Sequence, residues 1–333
     1  MTAPTEPTAS ATTPATASTT STAATASTAS TPDVDVLHYS AFTTRPDGGN
    51  PAGVVLDAAA VADDDVAMTA IAARVGYSET AFITERDEAA RRYRLRYFSP
   101  LAEVAFCGHA TIATAVALAE RDGPGELVFD TASGEIRVAT TADGDGPPRA
   151  TLTSVPTRSR PADPGTELEP TLGALGWSAD DLDPALPPHV AFAGNDHLVL
   201  AAATRERLAD LDYDFDALDA MMRRRGWTTV HLVWRETADG SAGNAGGSAG
   251  DLVFHARDPF PVGGVVEDPA TGAAAAAFGG YLRVLGLVGD RTTVRIRQGE
   301  DMGRPSDLLL DVTPDDPRSR VSGQAVPIPE TQR

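Results

Sequence analysis

Five short segments hold the polar residues that could do chemistry. In Gly76-Tyr77-Ser78-Glu79-Thr80-Ala81-Phe82 the single charged group is Glu79. If Tyr77 and Phe82 desolvate it, its proton affinity rises and it can work as an acid/base. The plain alternative is a surface glutamate at a strand start. Glu103-Val104-Ala105-Phe106-Cys107-Gly108-His109-Ala110-Thr111 leads into a helix. A helix N-terminus presents free N–H groups and partial positive charge, which suits a carboxylate ligand. Gly108 lets that backbone approach a ligand closely. His109 on the first turn can bond a substrate or move a proton, or can be the packed His of an ordinary capped helix. Val265-Val266-Glu267-Asp268-Pro269-Ala270-Thr271-Gly272-Ala273 mirrors this arrangement. Asp268 is held extended by Pro269, Thr271 can cap, and Gly272 opens a second helix; the same pattern is also common helix punctuation. In Arg45–Gly53, Asn50 offers an amide to a ligand or sits in a turn. Gln298–Ser306, polar and Gly-punctuated, suits a loop over a cleft or an exposed turn.

What is absent narrows the chemistry. All 27 basic residues are arginine, so no lysine can form a Schiff base or complete a P-loop. Cys107 is the only cysteine, so neither an intrachain disulfide nor a multi-Cys metal site can form. The six His show no zinc spacing, and no metal is expected. No G-x-G-x-x-G opens a helix after a strand, and no G-x-S-x-G sits on a strand-to-helix turn as a nucleophile elbow. The net charge of -20 repels phosphate backbones and argues against nucleic acid. No apolar run is long enough for a membrane span. The start of the chain lacks a basic region and an apolar stretch, and the lone Cys suits a reducing compartment, so a cytoplasmic protein is expected. Proton transfer is the easiest reaction left. Two carboxylates and a His between two helix starts would suit it.

The elements that must position these residues follow from periodicity and punctuation. Residues 1–32 are nearly all Thr, Ala, Ser and Pro and are expected to be a disordered tail. Strands are predicted at Val34–Tyr39, Val54–Leu56, Thr80–Thr84 and Tyr93–Phe98, with a helix from an Asp63 cap to Val75. An Ala-rich helix follows at Gly108–Arg121, then a hairpin around Ala132–Gly134. Pro147–Pro164 reads as the crossover to a second half. There, strands near His189–Ala193 and His197–Leu200 precede a helix near Asp214–Arg225. Val230–Trp234 and Leu252–Ala256 read as paired strands around a flexible Gly/Ser/Ala loop. A second Ala-rich helix at Gly272–Leu285 and strands at Thr293–Gln298 and Leu308–Val312 complete the fold. Small residues all round both helices suggest that a sheet wraps each one. The divisions are an N-terminal domain at 33–146, a linker at 147–164, a C-terminal domain at 165–315 whose last strands can return to the first, and a loose tail at 316–333.

Taken in order, Asn50–Gly53, Ser78–Phe82, Cys107–Thr111, Asp268–Gly272 and Gln298–Ser306 resemble the phenazine-biosynthesis PhzF-like family, of the diaminopimelate-epimerase fold superfamily. The resemblance runs from about Val34 to Asp311. It implies an α+β fold of two similar domains, each a mixed sheet or barrel curled round a central helix, with the active site between them. It also implies a homodimer that uses no cofactor. Glu79 then matches the family's catalytic acid/base. His109 and Asp268 match residues that contact substrate, and Gly108 and Gly272 match the helix starts that receive its carboxylate. Position 273 is Ala, where the family commonly has a Ser that contacts substrate.

Three functions follow from this reading. The first is a cofactor-independent isomerase that moves a proton on a small carboxylate-bearing metabolite, with Glu79 as acid/base. Its substrate contacts would be Asn50, Gly108, His109, Asp268, Gly272 and Ala273. The second is a two-base racemase or epimerase using Cys107 and Asp268. The third, motivated by Ala273, is a non-catalytic ligand-binding or scaffolding homodimer.

Overall fold

The computed structural model describes residues 34–236 and 252–332. The tail expected at 1–32 and the Gly/Ser/Ala loop lie outside the described residues. Strands β1 (Leu37–Ala41), β2 (Asn50–Val55), β3 (Glu79–Asp87), β4 (Arg92–Phe98), β5 (Glu103–Val104), β6 (Gly125–Thr131), β7 (Gly134–Asp143) and β8 (Gly146–Thr153) make the first half. Strands β9 (Arg158–Pro161), β10 (His189–Phe192), β11 (Asp196–Ala201), β12 (Trp227–Glu236), β13 (Leu252–Pro259), β14 (Glu267–Asp268), β15 (Thr292–Gln298) and β16 (Ser306–Val312) make the second. The last strand, β17 (Arg320–Pro327), belongs to both.

Pairing closes the first half into a barrel. The order is β17-β1-β2-β3-β4-β6-β7-β8 and back to β17. Two of these pairs, β2–β3 and β4–β6, are parallel. The second half is a matching curl, β9-β10-β11-β12-β13-β15-β16-β17, also with two parallel pairs. This α+β architecture is the one the resemblance implied.

Each sheet wraps one Ala-rich helix. Of the six α-helices among the described residues, α1 (Asp65–Val75), α3 (Glu169–Leu175), α4 (Arg205–Ala209) and α5 (Phe215–Arg225) lie outside the two curls, while α2 (Gly108–Asp122) and α6 (Gly272–Val284) run inside them. Residues 109–119 of α2 and 274–282 of α6 are buried on every side. Alanine suits this position twice over, as the best helix former and as a side chain thin enough for strands to close round. The buried threonines of α2 spend their hydroxyls on the preceding turn: Thr111 donates to Cys107 O at 2.6 Å and Thr114 to Ala110 O at 2.7 Å. No helix among the described residues is long and apolar enough to cross a membrane.

Gly279 and Gly280 show how tight the second wrap is. A Cβ on Gly279 would run into Ser319 Oγ and come within 3.0 Å of Val312. Gly279→Val is therefore expected to cost roughly 1–3 kcal/mol or more by overpacking, read as a fall in the urea midpoint at unchanged slope. Gly173→Ala on α3, where an added Cβ meets nothing within 4 Å, is the control and should be neutral or stabilising. Equal losses in both variants would contradict the packing argument.

Three expectations are corrected. The tail at 316–333 is not loose, because β17 is a central strand bonded to β1, β8 and β16. Its sequence, Arg-Val-Ser-Gly-Gln-Ala-Val-Pro, looks too polar for that place. Gly323 explains part of the polarity, since a Cβ there would collide with the Phe42 ring. The crossover 147–164 holds most of β8 and all of β9. Pro147 and Pro148 sit at the start of β8 and Pro161 at the end of β9, where strands tolerate proline. The first helix is capped by Asp64, one residue later than expected, through Ala67 N–H at 2.9 Å.

Candidate active site

The two helix starts meet. A Cβ built on Gly108 would lie 3.7 Å from Gly272 Cα and 3.8 Å from Ala273 N. The first internal bonds of the helices are Thr111 N–H to Cys107 O and Ala275 N–H to Thr271 O, so the N–H groups of 108–110 and 272–274 point out of both helices. Thr271 occupies the N-cap position of α6, but its hydroxyl does not cap; it donates instead to Asp268 Oδ2 at 2.6 Å.

Around this junction the chain gathers the polar residues singled out from sequence. Asn50 is the first residue of β2, Glu79 the first of β3, Cys107 the N-cap of α2, and Asp268 the end of β14. The Asn50 amide nitrogen donates to Asp268 Oδ1 at 2.7 Å and Ala270 O at 3.1 Å, and lies 3.1 Å from His109 Nδ1. The amide has two hydrogens for these three acceptors; when one of them goes to His109, Nδ1 accepts and the ring proton sits on Nε2. That nitrogen is 3.4 Å from Glu79 Oε2 and 3.5 Å from Ser78 Oγ. The Cys107 thiol lies 3.6 Å from the same Glu79 oxygen and 3.4 Å from His109 Nδ1. One continuous polar chain thus joins Glu79, Cys107, His109, Asn50 and Asp268.

Burial sets the electrostatics. It pushes Asp268 up to about 8, helped by the charges of Glu79 and Asp258 and opposed by the Thr271 and Asn50 bonds. It also raises the Cys107 thiol well above its usual range, again with Glu79 adding to the effect. His109 is lowered by burial, with Glu79 pulling the other way. The donor atoms of Glu79, Cys107 and His109 lie within 4.8 Å of one another, close enough to consider a cation. A cation there would have to displace the proton that burial holds on the Cys107 thiol, so the three groups fit proton traffic better.

Several positions act in ways that the sequence did not specify, Gln298 and Arg304 within a segment already singled out and Phe42 outside any. Gln298 holds the second helix start in place: its Nε2 donates to Asp268 O and Thr271 Oγ1, and its Oε1 accepts from Thr271 N–H. The segment after it does not hang free, because Arg304 donates to Gly48 O, Gly49 O and Ser40 Oγ and so fixes the turn before Asn50. Phe42, at φ 62, holds a left-handed backbone that is costly for a bulky residue, and its ring reaches Gly272. No local sequence signal marks it. Phe42, Phe106, Ile112 and Leu152 wall a cavity of about 460 Å³, and Gly108, Gly272 and Ala273 also line it. The helix starts line this cavity, whereas the side chains of Glu79, His109 and Asp268 do not.

Comparison with known proteins places the chain among relatives most of whose length it covers. The family described as Phenazine biosynthesis-like protein matches residues 39–331. An uncharacterized isomerase of Mesorhizobium japonicum is 31% identical over 306 residues, covering 88% of this chain and 96% of the relative. An uncharacterized isomerase of Deinococcus radiodurans is 33% identical over 279 residues, covering 82% and 85%. The crystal structure of the Bacillus anthracis phenazine biosynthesis protein, PhzF family, superposes with a TM-score of 0.76 at 25% identity, covering 89% of this chain and 97% of that one.

Proposed function

The chain belongs to the phenazine biosynthesis-like family and is an isomerase, and from that premise we propose that it moves a proton, without a cofactor, on a small carboxylate-bearing metabolite of amino- or hydroxy-acid type. One observation carries this reading: the polar chain from Glu79 to Asp268 lies where the two helix starts abut. The N–H groups of Gly108, Gly272 and Ala273 would receive the substrate carboxylate. Glu79 would take a proton from a substrate carbon and return it at another position. His109 and Asp268 would orient the polar groups of the substrate. The family resemblance also supports a homodimer, which light scattering on the purified chain would test, and the lone Cys107 suits a cytoplasmic setting.

The experiment is turnover in deuterium oxide of candidate amino and hydroxy acids, comparing wild type with Glu79→Gln. Deuterium appearing in product only when Glu79 is intact supports the role. Equal incorporation in the variant sinks it.

The two-base reading needs a thiolate at Cys107. Burial and the neighbouring Glu79 both hold the proton on that sulfur, which favours Glu79 over Cys107 as the working group. Cys107→Ala is therefore expected to keep activity within several-fold of wild type. A loss as large as that of Glu79→Gln would restore the thiol to the mechanism. Iodoacetamide alone cannot decide, since an alkylated Cys107 could block the site by bulk.

A further inference from the structure

A second buried polar cluster lies directly behind Asp268. Asp258 on β13 is the register partner of Asp268 on β14. Asp258 is fully buried and accepts from Thr229 Oγ1 at 2.9 Å, with His231 Nδ1 3.0 Å from its Oδ2. The Thr229 hydroxyl is in turn 2.9 Å from His197 Nδ1. His231 and His197 are both fully buried, and the Nε2 of each has no partner among the described residues. The His231 ring packs edge-on to Phe278 of α6 at 5.3 Å. The short β14 cannot drift from this position, because Glu267 is clamped by Arg257 through bonds of 3.0 and 2.6 Å.

Two buried acids facing each other across a ladder cannot both be anions cheaply. Their partners differ. Asp268 meets only neutral donors, the Asn50 amide and the Thr271 hydroxyl. Asp258 meets an imidazole, which can itself carry positive charge, and a hydroxyl. Of the two acids, only Asp258 has a partner able to balance a negative charge. We propose that Asp258, held by His231 and Thr229, is a positioning residue that keeps the proton on Asp268, so that Asp268 presents an acid to the substrate. The proposal rests on the proton-transfer reading of the site for its purpose, but its physical content stands apart from turnover. The other groups facing Asp268 are Asn50 from β2, Glu79 from β3, Cys107 at the start of α2, Thr271 at the cap of α6 and Gln298 from β15.

Infrared spectroscopy of the full chain tests this. The carbonyl stretch of a buried protonated carboxyl is assigned to Asp268 by its loss in Asp268→Asn, and is then followed with pH. In Asp258→Asn the midpoint of that band should fall by about one pH unit or more, as expected when a neighbouring anion is removed. An unchanged midpoint in a folded Asp258→Asn protein overturns the proposal, since a purely structural role would leave it unmoved. If that variant does not fold, ring-nitrogen NMR of wild type decides. The His231 signals, assigned by their loss in His231→Gln, should step at the midpoint of the Asp268 band, and the step should vanish in Asp268→Asn. Signals blind to Asp268 overturn the coupling. A moved Asp268 midpoint, together with deuterium incorporation that ignores Glu79→Gln, would keep this inference and discard the catalytic role of Glu79.

Discussion

Glu79→Gln is expected to lower deuterium incorporation and turnover by roughly two to four orders of magnitude, the usual worth of a positioned general acid/base. The substitution is nearly isosteric, and Gln keeps an oxygen to face His109 Nε2 at the 3.4 Å now seen. What it loses is the capacity to take up and return a proton. Because the side chain is 15% exposed and begins a strand, its fold should survive, and unfolding midpoints should match wild type within experimental scatter. Ser78→Ala is the companion variant. It removes a hydroxyl 3.5 Å from His109 Nε2, a distance at which a bond is weak, so the loss should be several-fold at most. A Ser78→Ala defect equal to that of Glu79→Gln would mean that His109 orientation, and not proton transfer at Glu79, limits the rate.

What could be read from sequence depends on whether its signal is local. The helix starts were legible because their signals are local. A glycine after an extended residue, followed by small residues, marks Gly108 and Gly272 without knowledge of anything distant. Glu79 was legible for the same reason, as the one charge in an apolar stretch. The bonds between these parts were not. Asn50 and Asp268 are 218 positions apart, and nothing in either segment announces that one amide will serve both Asp268 and His109. β17 was misread because a central strand of a closed barrel normally reads as apolar, whereas this one carries Ser322, Gly323 and Gln324. Gly323 makes room for Phe42, and Ser322 Oγ pairs with Thr151 Oγ1 at 2.8 Å, so the polar residues are explained only by their partners across the ladder. Phe42 is the clearest case. Its left-handed backbone and its place against Gly272 depend on the neighbouring strands, and a phenylalanine in sequence reads only as core.

The buried Asp268 should also leave a mark on stability. An Asp in an unfolded chain titrates near 4, whereas in the folded protein Asp268 is pushed up to about 8. Between those values the folded state keeps a proton that the unfolded state gives up. Unfolding then releases a proton, and stability falls as pH rises through the window. The contribution is fully present below about pH 4 and is lost by about pH 8, above which the slope from this group disappears. Four units correspond to about 5 kcal/mol as an upper bound. Asn cannot titrate, so Asp268→Asn carries a fixed cost or gain from its altered bonds to Asn50 and Thr271 and no pH slope of its own. Measured against wild type by urea unfolding at about pH 5 and about pH 8.5, the variant should gain relative stability at the higher pH, by a few kcal/mol. A stability difference that stays constant between the two would show that Asp268 is not held protonated. That result would remove the acid from the site. If the gain is found, native stability at neutral pH is being given up to hold a protonated carboxyl between two helix starts, a cost that the fold itself does not require and that proton transfer at this site would explain.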